Sequence, residues 1–370
     1  MARLTPAARK QLDAFKDVTV KHPRLDEVDR HVSQAIREKA GFAHLLVYGP
    51  SGVGKSTMIH RVLERFDTEE AQRDLVPMVV VEARPSDTGA YVRLDYYRQV
   101  LHALKEHVIV KEILLTINTS AKPTRARTAT DWLEMREAVE QALEQLQVRA
   151  VVIDEAQHLM QVETGHKAVE QLDWLKSMTN RTKAVHILVG PYELCDFRNL
   201  SGQAARRGHD VHFPRYHLDV LAERMEFAGA LRYLVERVPL ICDLPDFLNR
   251  WRWFGEMSLG CIGILKDWLV QTCATALADG ETTLTLAALE THALTSGQRV
   301  RLELDARAGE HKLAAESAVS QHQLETLLGV PPPVAPADGA LVPPKAKRGR
   351  KPGTRAPTRD PAGEGTALGE

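Results

Sequence analysis

Gly49-Pro50-Ser51-Gly52-Val53-Gly54-Lys55-Ser56 follows the apolar run 43–48 and precedes a helical pattern, so a G-x-x-x-x-G-K-[ST] loop stands between a strand and a helix. The residue types suit a phosphate cradle. Glycines let backbone N–H groups curl around phosphates, Lys55 neutralises β- and γ-phosphate charge, and the Ser56 hydroxyl can ligate Mg²⁺ at a helix N-terminus. Gly49, Pro50, Ser51, Gly52, Val53, Gly54, Lys55, Ser56 and the adjoining Thr57 are therefore the candidate contacts to ATP.

About a hundred residues further on, Val151-Val152-Ile153 ends in Asp154-Glu155, an apolar strand followed by two carboxylates that a parallel sheet can bring beside the loop. Asp154 then joins Ser56 as a candidate Mg²⁺ residue. Glu155 is placed to take a proton from the water that attacks the γ-phosphate, and Lys55 and Glu155 are the catalytic candidates. The competing reading is a strand that ends in a solvated acidic turn.

Short Val-, Leu- and Ile-rich runs at 43–48, 76–81, 150–153 and 185–189 alternate with helical patterns at 56–66, 91–107, 131–146 and 168–182. That alternation predicts an α/β fold with a central parallel sheet covered on both faces. A helical leader (1–40) carries Leu25, Val28, Val32 and Ile36 at spacings of three and four, one apolar stripe to lay on the body. After the nucleotide-binding domain (41–216), helices dominate at 222–237, 244–253, 262–277 and 285–294, a small lid domain (217–300). A helical extension (301–329) and a Pro-rich basic tail (330–370), expected to be disordered, complete the chain.

With 370 residues and 44% hydrophobic content the chain can bury a real core. A formal charge of −1 means that attraction to nucleic acid must come from local clusters. Cys195, Cys242, Cys261 and Cys273 lack metal-ligand or C-x-x-C spacing and read as reduced structural residues. Trp251, Trp253, Phe254 and Trp268 read as lid core. No signal peptide or membrane-spanning run is visible, so a cytoplasmic protein without membrane contact is expected.

The loop, the run Asp154-Glu155-Ala156-Gln157-His158-Leu159, the segment Gly190-x-Tyr192-Glu193-Leu194 and the late Gly260-Cys261-Ile262-Gly263 together resemble the TniB/TnsC family of AAA+ transposition regulators, over about residues 22–294. The resemblance implies an AAA+ ATPase that forms rings or helical filaments on double-stranded DNA, recruits a transposase and connects it to a target-selection protein. Most AAA+ lids carry a sensor arginine at the Gly263 position; proteins similar to TniB generally have glycine. Lys266, one turn along, can approach the nucleotide or remain solvated. AAA+ proteins usually place a polar γ-phosphate sensor after the fourth strand, where this chain has Pro191; Tyr192 or a backbone group substitutes, or the sensor is missing. Arg206 and Arg207 are candidates for an arginine finger toward a neighbouring subunit, or for ordinary surface ion pairs.

Candidate DNA contacts are Lys122, Arg125 and Arg127 in a loop, with Arg93 nearby, and Lys347, Arg348, Arg350 and Lys351 in the tail. Such cations would bind phosphates with little sequence preference, or, for the loop, form a merely solvated basic segment. The tail's Arg348-Gly349-Arg350 is similar to an AT-hook, with Lys351 intervening before Pro352; transposase docking and a solubilising linker are its other readings. A signalling or defence ATPase acting through protein partners without DNA is the alternative for the whole chain.

Overall fold

Four of the expected apolar runs fold as β1 (His44–Tyr48), β2 (Met78–Glu82), β3 (Ala150–Asp154) and β4 (Val185–Gly190) in a computed structural model of the chain. The structure describes residues 4–38, 42–70, 76–85, 91–105, 110–111, 131–160, 165–198, 200, 206 and 208–329. A fifth strand, β5 (Gly208–His212), has no counterpart among those runs, because only Val211 of its five residues is buried. All pairings are parallel, in the order β2-β3-β4-β1-β5. β1 thus lies between β4 and the edge strand β5, and its C-terminal end is the point where the strand order reverses.

Alternate residues of each strand feed opposite cores. Leu46, Val151, Ile153 and Leu188 join one apolar layer with Tyr96, Tyr97, Val100, Leu143 and Leu175. Leu45, Val47, Val152 and Ile187 join the other with Leu25, Val28, Val32, Met58 and Val62. Period-two alternation with both sides apolar is what a sheet buried on both faces requires. The covering helices are α2 (Pro23–Glu38), α3 (Lys55–Glu70), α4 (Arg93–Ala103), α5 (Asp131–Gln145) and α6 (Gly165–Thr182), with α1 (Pro6–Lys16) before them.

The leader is two helices rather than one continuous stripe. Pro23 disfavours helix at His22 and starts α2 cleanly, leaving the break at 17–22. The halves serve different cores: Leu12, Phe15 and Val20 pack into the lid, whereas Leu25, Val28, Val32 and Ile36 pack on the sheet. Buried Asp29 fastens α2 to α3 through Arg61, at 3.2 Å, and Arg65, and accepts a hydrogen bond from Ser33.

The lid comprises α7 (Leu221–Val235), α8 (Leu244–Asn249), α9 (Trp251–Ser258), α10 (Ile262–Ala278) and α11 (Leu286–His292). The single helix expected at 244–253 is broken at Arg250, and its second part runs on to Ser258. Trp268 and Phe254 are buried in the lid core with Trp251 and Trp253 packed against it, as expected. The last helix, α12 (Ser296–Leu328), starts inside the expected lid. The chain divides at Ala315; the described part of the second unit, 316–329, is helical to Leu328. No described helix is long and apolar enough to cross a membrane.

Two buried histidines meet across the sheet, where His44 of β1 pairs in register with His186 of β4. His186 shares hydrogen bonds with Tyr96 Oη and Thr179 Oγ1, both at 2.8 Å. Neither ring nitrogen of His44 meets a partner among the described residues. Burial pushes His44 down to about 4 and His186 to about 3. With native values below the unfolded 6.5, both contribute stability that is complete above pH 6.5 and lost as pH falls, through about 4 for His44 and about 3 for His186. Thermal melting should therefore weaken steeply below pH 6.5. His44→Leu, which removes two unpaired polar atoms, should raise neutral-pH stability by about 1–2 kcal/mol and flatten that acid slope. A lower melting temperature in the variant would contradict this account of His44.

Candidate functional site

The loop after β1 turns through Gly52 and Gly54, whose φ of +73° and +113° lie in the left-handed region open to glycine. Successive N–H groups in such turns converge into an anion-binding concavity, which here runs directly into the N-terminus of α3. Gly49 is needed for a different reason: a Cβ there would lie 2.1 Å from the Phe213 carbonyl oxygen. Lys55 arches back so that Nζ donates to the carbonyls of Gly49 (2.9 Å) and Pro50 (2.8 Å). Burial pulls the ammonium below its ordinary value, and the nearby charges of Glu155 and Asp154 pull it back up.

Parallel pairing of β1, β4 and β3 brings the two sequence motifs together. Ser56 Oγ donates to Asp154 Oδ2 at 3.1 Å, and the Glu155 N–H donates to Asp154 Oδ1 at 2.9 Å, which fixes the carboxylate against the loop. Among the described residues no cluster of three or more His, Cys, Asp and Glu forms a dedicated metal cage. One hydroxyl and one carboxylate fit Mg²⁺, which is held by few protein groups together with substrate phosphates. Glu155 is exposed and has φ +51°, a conformation that costs a non-glycine residue energy and that clusters at active sites. Gln157 Nε2 donates to Glu155 Oε2 at 2.6 Å.

A contribution invisible in the sequence comes from the lid. The N-terminus of α10 rests on the phosphate loop, with Ile264 N donating to the Gly52 carbonyl at 3.1 Å. A Cβ on Gly263 would stand 2.4 Å from that same oxygen, so the position expected to hold a sensor arginine in other lids has no room here for any side chain. Two helix N-termini, those of α3 and α10, thereby meet at one loop and add their positive ends to Lys55. Cys261 stands at the N-cap position of α10 without a side-chain capping bond, its buried thiol pushed up to about 12 by burial, protonated and inert. All four cysteines are free.

On the other flank α12 walls a cleft of about 290 Å³ beside Pro50, Ser51 and Pro191. Its Gly309 lies against Tyr192, where a Cβ would come within 2.1 Å of the ring. Arg215 clamps it, bonding Glu310 Oε1 at 2.8 Å and Glu303. Tyr192 is buried, and its hydroxyl is bonded to His212 Nε2 at 3.0 Å. That commits the side chain considered as a substitute sensor to the sheet edge. Lys266 is tied by Nζ to the Lys16 carbonyl and joins the lid to α1 rather than approaching the loop.

Arg206 is exposed immediately before β5. Because β5 runs parallel to β1, Arg206 stands at the end of the sheet opposite its own phosphate loop, roughly 15–20 Å away along the strand. Arg93, expected among DNA contacts, is half-buried over Trp174, with Nε donating to Gln171 Oε1 (2.9 Å) and Nη2 to the Glu170 carbonyl (3.1 Å). The structure uses it to join α4 to α6. Lys122, Arg125, Arg127, Arg207, Lys347, Arg348, Arg350 and Lys351 lie outside the described residues.

Residues 38–197 match the family described as AAA domain. No curated protein sequence matches the chain. Among solved structures, the Aeropyrum pernix ORC1 protein in complex with DNA is similar at 16% identity, over 77% of this chain and 68% of that one, with a TM-score of 0.51. The ADPNP–ADP complexes of the Aeropyrum pernix ORC2 protein are similar at 16% identity, over 78% and 72%, with a TM-score of 0.49. Domain III of the Thermotoga maritima replication initiation protein DnaA is similar at 11% identity, over 78% and 97%, with a TM-score of 0.43. The chain thus carries an AAA domain, and its likeness to the ORC1 protein is one of fold.

Gly263→Ala should cost at least tenfold in affinity for a fluorescent ATP analogue, because the added methyl meets backbone oxygen that cannot step aside. Far-UV circular dichroism should be unchanged. Wild-type affinity in the variant would mean that α10 does not sit on the loop when nucleotide binds.

Proposed function

We propose that this chain is an ATP-hydrolysing AAA+ regulator of DNA transposition, one that oligomerises on double-stranded target DNA and recruits or activates a transposase. The juxtaposition of Ser56, Asp154 and Glu155 at the phosphate loop carries the hydrolytic part of that reading. Lys55 and the loop N–H groups bind and orient the phosphates. Ser56 and Asp154 would hold Mg²⁺, which when bound would neutralise charge on the phosphate oxygens. Glu155 accepts a proton from water as the water oxygen bonds to the γ-phosphorus; the bond to the β–γ bridging oxygen breaks, and ADP leaves with its electron pair.

Assembly is supported by the position of Arg206. A cation at the far end of the sheet is poorly placed for its own nucleotide and well placed to serve a neighbouring protomer's, a role that Arg207 shares as a candidate. ATP would then hold a ring or helical filament together, and hydrolysis would release it. The transposition reading rests on the resemblance carried by Asp154-Glu155-Ala156-Gln157-His158 and by Gly263, whose glycine has a steric reason in this fold. DNA contact is assigned to Lys122, Arg125 and Arg127, with the tail's Lys347, Arg348, Arg350 and Lys351 adding affinity without base readout. A target-selection protein is the further partner.

Fluorescence anisotropy with a random-sequence duplex, in ATP, ADP and no nucleotide across a salt series, tests this directly. ATP-dependent, salt-sensitive binding is expected, with rings or filaments visible by electron microscopy. Glu155→Gln should bind duplex with ATP and disassemble at least tenfold more slowly than wild type. Absence of duplex binding in every nucleotide state would remove the DNA role and leave an ATPase that acts through protein partners.

A further inference from the structure

The fourth strand ends without a polar side chain, since Gly190 is followed by Pro191 and Tyr192 is bonded to His212. Yet the surface of Gly190 is not bare. The side-chain amide of Gln157 lies against it, so closely that a Cβ on Gly190 would fall 2.7 Å from Gln157 Oε1. The other half of that amide, Nε2, donates to Glu155 Oε2 at 2.6 Å. A carboxylate only accepts, so the amide must face it with its NH₂ group and turn its carbonyl toward Gly190. The carbonyl oxygen is buried there with no hydrogen-bond partner among the described residues.

We infer that Gln157 is the positioning residue for Glu155, seated in a notch that Gly190 leaves at the end of β4. Three observations converge on it. Glu155 is exposed and held at φ +51°, so its long side chain has no packing of its own to restrict it. The hydrogen bond from Gln157 supplies that restriction. A buried carbonyl without a donor is unfavourable, and packing by itself gives no reason to keep an amide there when an apolar residue would fill the space. The bond to Glu155 gives that reason.

Gly190 belongs to β4, which pairs with β1 directly beneath the phosphate loop, Tyr48 standing opposite Gly190 in register. Gln157 therefore connects the carboxylate that takes the proton to the strand that carries the loop, and small movements at the end of β4 pass to the orientation of Glu155. Alignment of the reacting groups matters steeply: a displacement on the order of 1 Å costs roughly a hundredfold in rate.

The inference rests on Glu155 acting as the base of ATP hydrolysis, and the test separates the two. Steady-state ATPase kinetics and binding of a fluorescent ATP analogue would be measured on full-length wild type, Gln157→Leu, Gln157→Glu, Gly190→Ala and the Gln157→Leu/Gly190→Ala double variant. Gln157→Leu should lower kcat about 10- to 100-fold with KM and analogue affinity within twofold of wild type. Gln157→Glu, nearly the same shape but repelling Glu155, should fall at least as far. Gly190→Ala displaces the amide, with a lesser contact to Leu194 at 3.1 Å, without removing any polar group and should reproduce the loss, and the double variant should be no slower than the worse single one, since both remove the amide's contact. A merely structural role would instead weaken nucleotide binding or melting along with rate, which overturns the proposal. Wild-type kcat in Gln157→Leu also overturns it while leaving Glu155 as base. An inactive wild type removes the hydrolytic reading and this role with it.

Discussion

Everything at the nucleotide site depends on the parallel register of β3, β4 and β1. Ile153 pairs with Leu188 and Val47 with Val189, so the strands end level and their C-terminal turns open on one rim. A hydrogen bond between Ser56 and Asp154, far apart in the chain, is possible only because β4 spaces β3 from β1 at that rim. The register in turn is held by burial. Every residue of β1 and β4 is buried, and a slip of one residue would exchange the two apolar faces that α2 and α3 cover on one side and α4, α5 and α6 on the other.

The lid is fastened to this rim by polar and charged contacts as well as apolar ones. The α10 N-terminus donates to the loop carbonyl of Gly52, His22 meets Tyr216 Oη at 2.9 Å, and Arg215, nearly buried, is shared between Glu303 and Glu310 of α12. Removing one partner of such a buried pair leaves an uncompensated charge, so these contacts define a geometry more than they add net stability. They also make the loop respond to the lid. A helix seated on a glycine carbonyl moves whenever that carbonyl moves.

Residues beside the carboxylates are less relaxed than the sheet that supports them. Glu155 is left-handed, Gln157 buries an unpaired carbonyl, and His158 Nδ1 is likewise buried without a partner. Strain and unsatisfied polarity are concentrated over four residues in the turn and 3₁₀ helix (Ala156–Met160) that follow the regular strand β3.

The sequence by itself determined the runs that form β1 to β4, the loop from Gly49 to Ser56 and the pair Asp154-Glu155, because apolar periodicity and glycine-dependent turns are local properties. It also identified Trp268 and Phe254 as core, since large aromatics in a small domain have few other places to go. The edge strand β5 escaped notice because it needs only one buried residue, and its pairing with β1 is a long-range contact. The leader's stripe hid its division at Pro23, since each half matches a different core. Tertiary structure alone decided that Arg93 joins helices, that Tyr192 turns to His212, that Gly263 makes room for a loop carbonyl, and that Gln157 lies over Gly190. Each of these depends on which backbone stands within a few ångströms of a side chain, and spacing along the chain does not encode that distance.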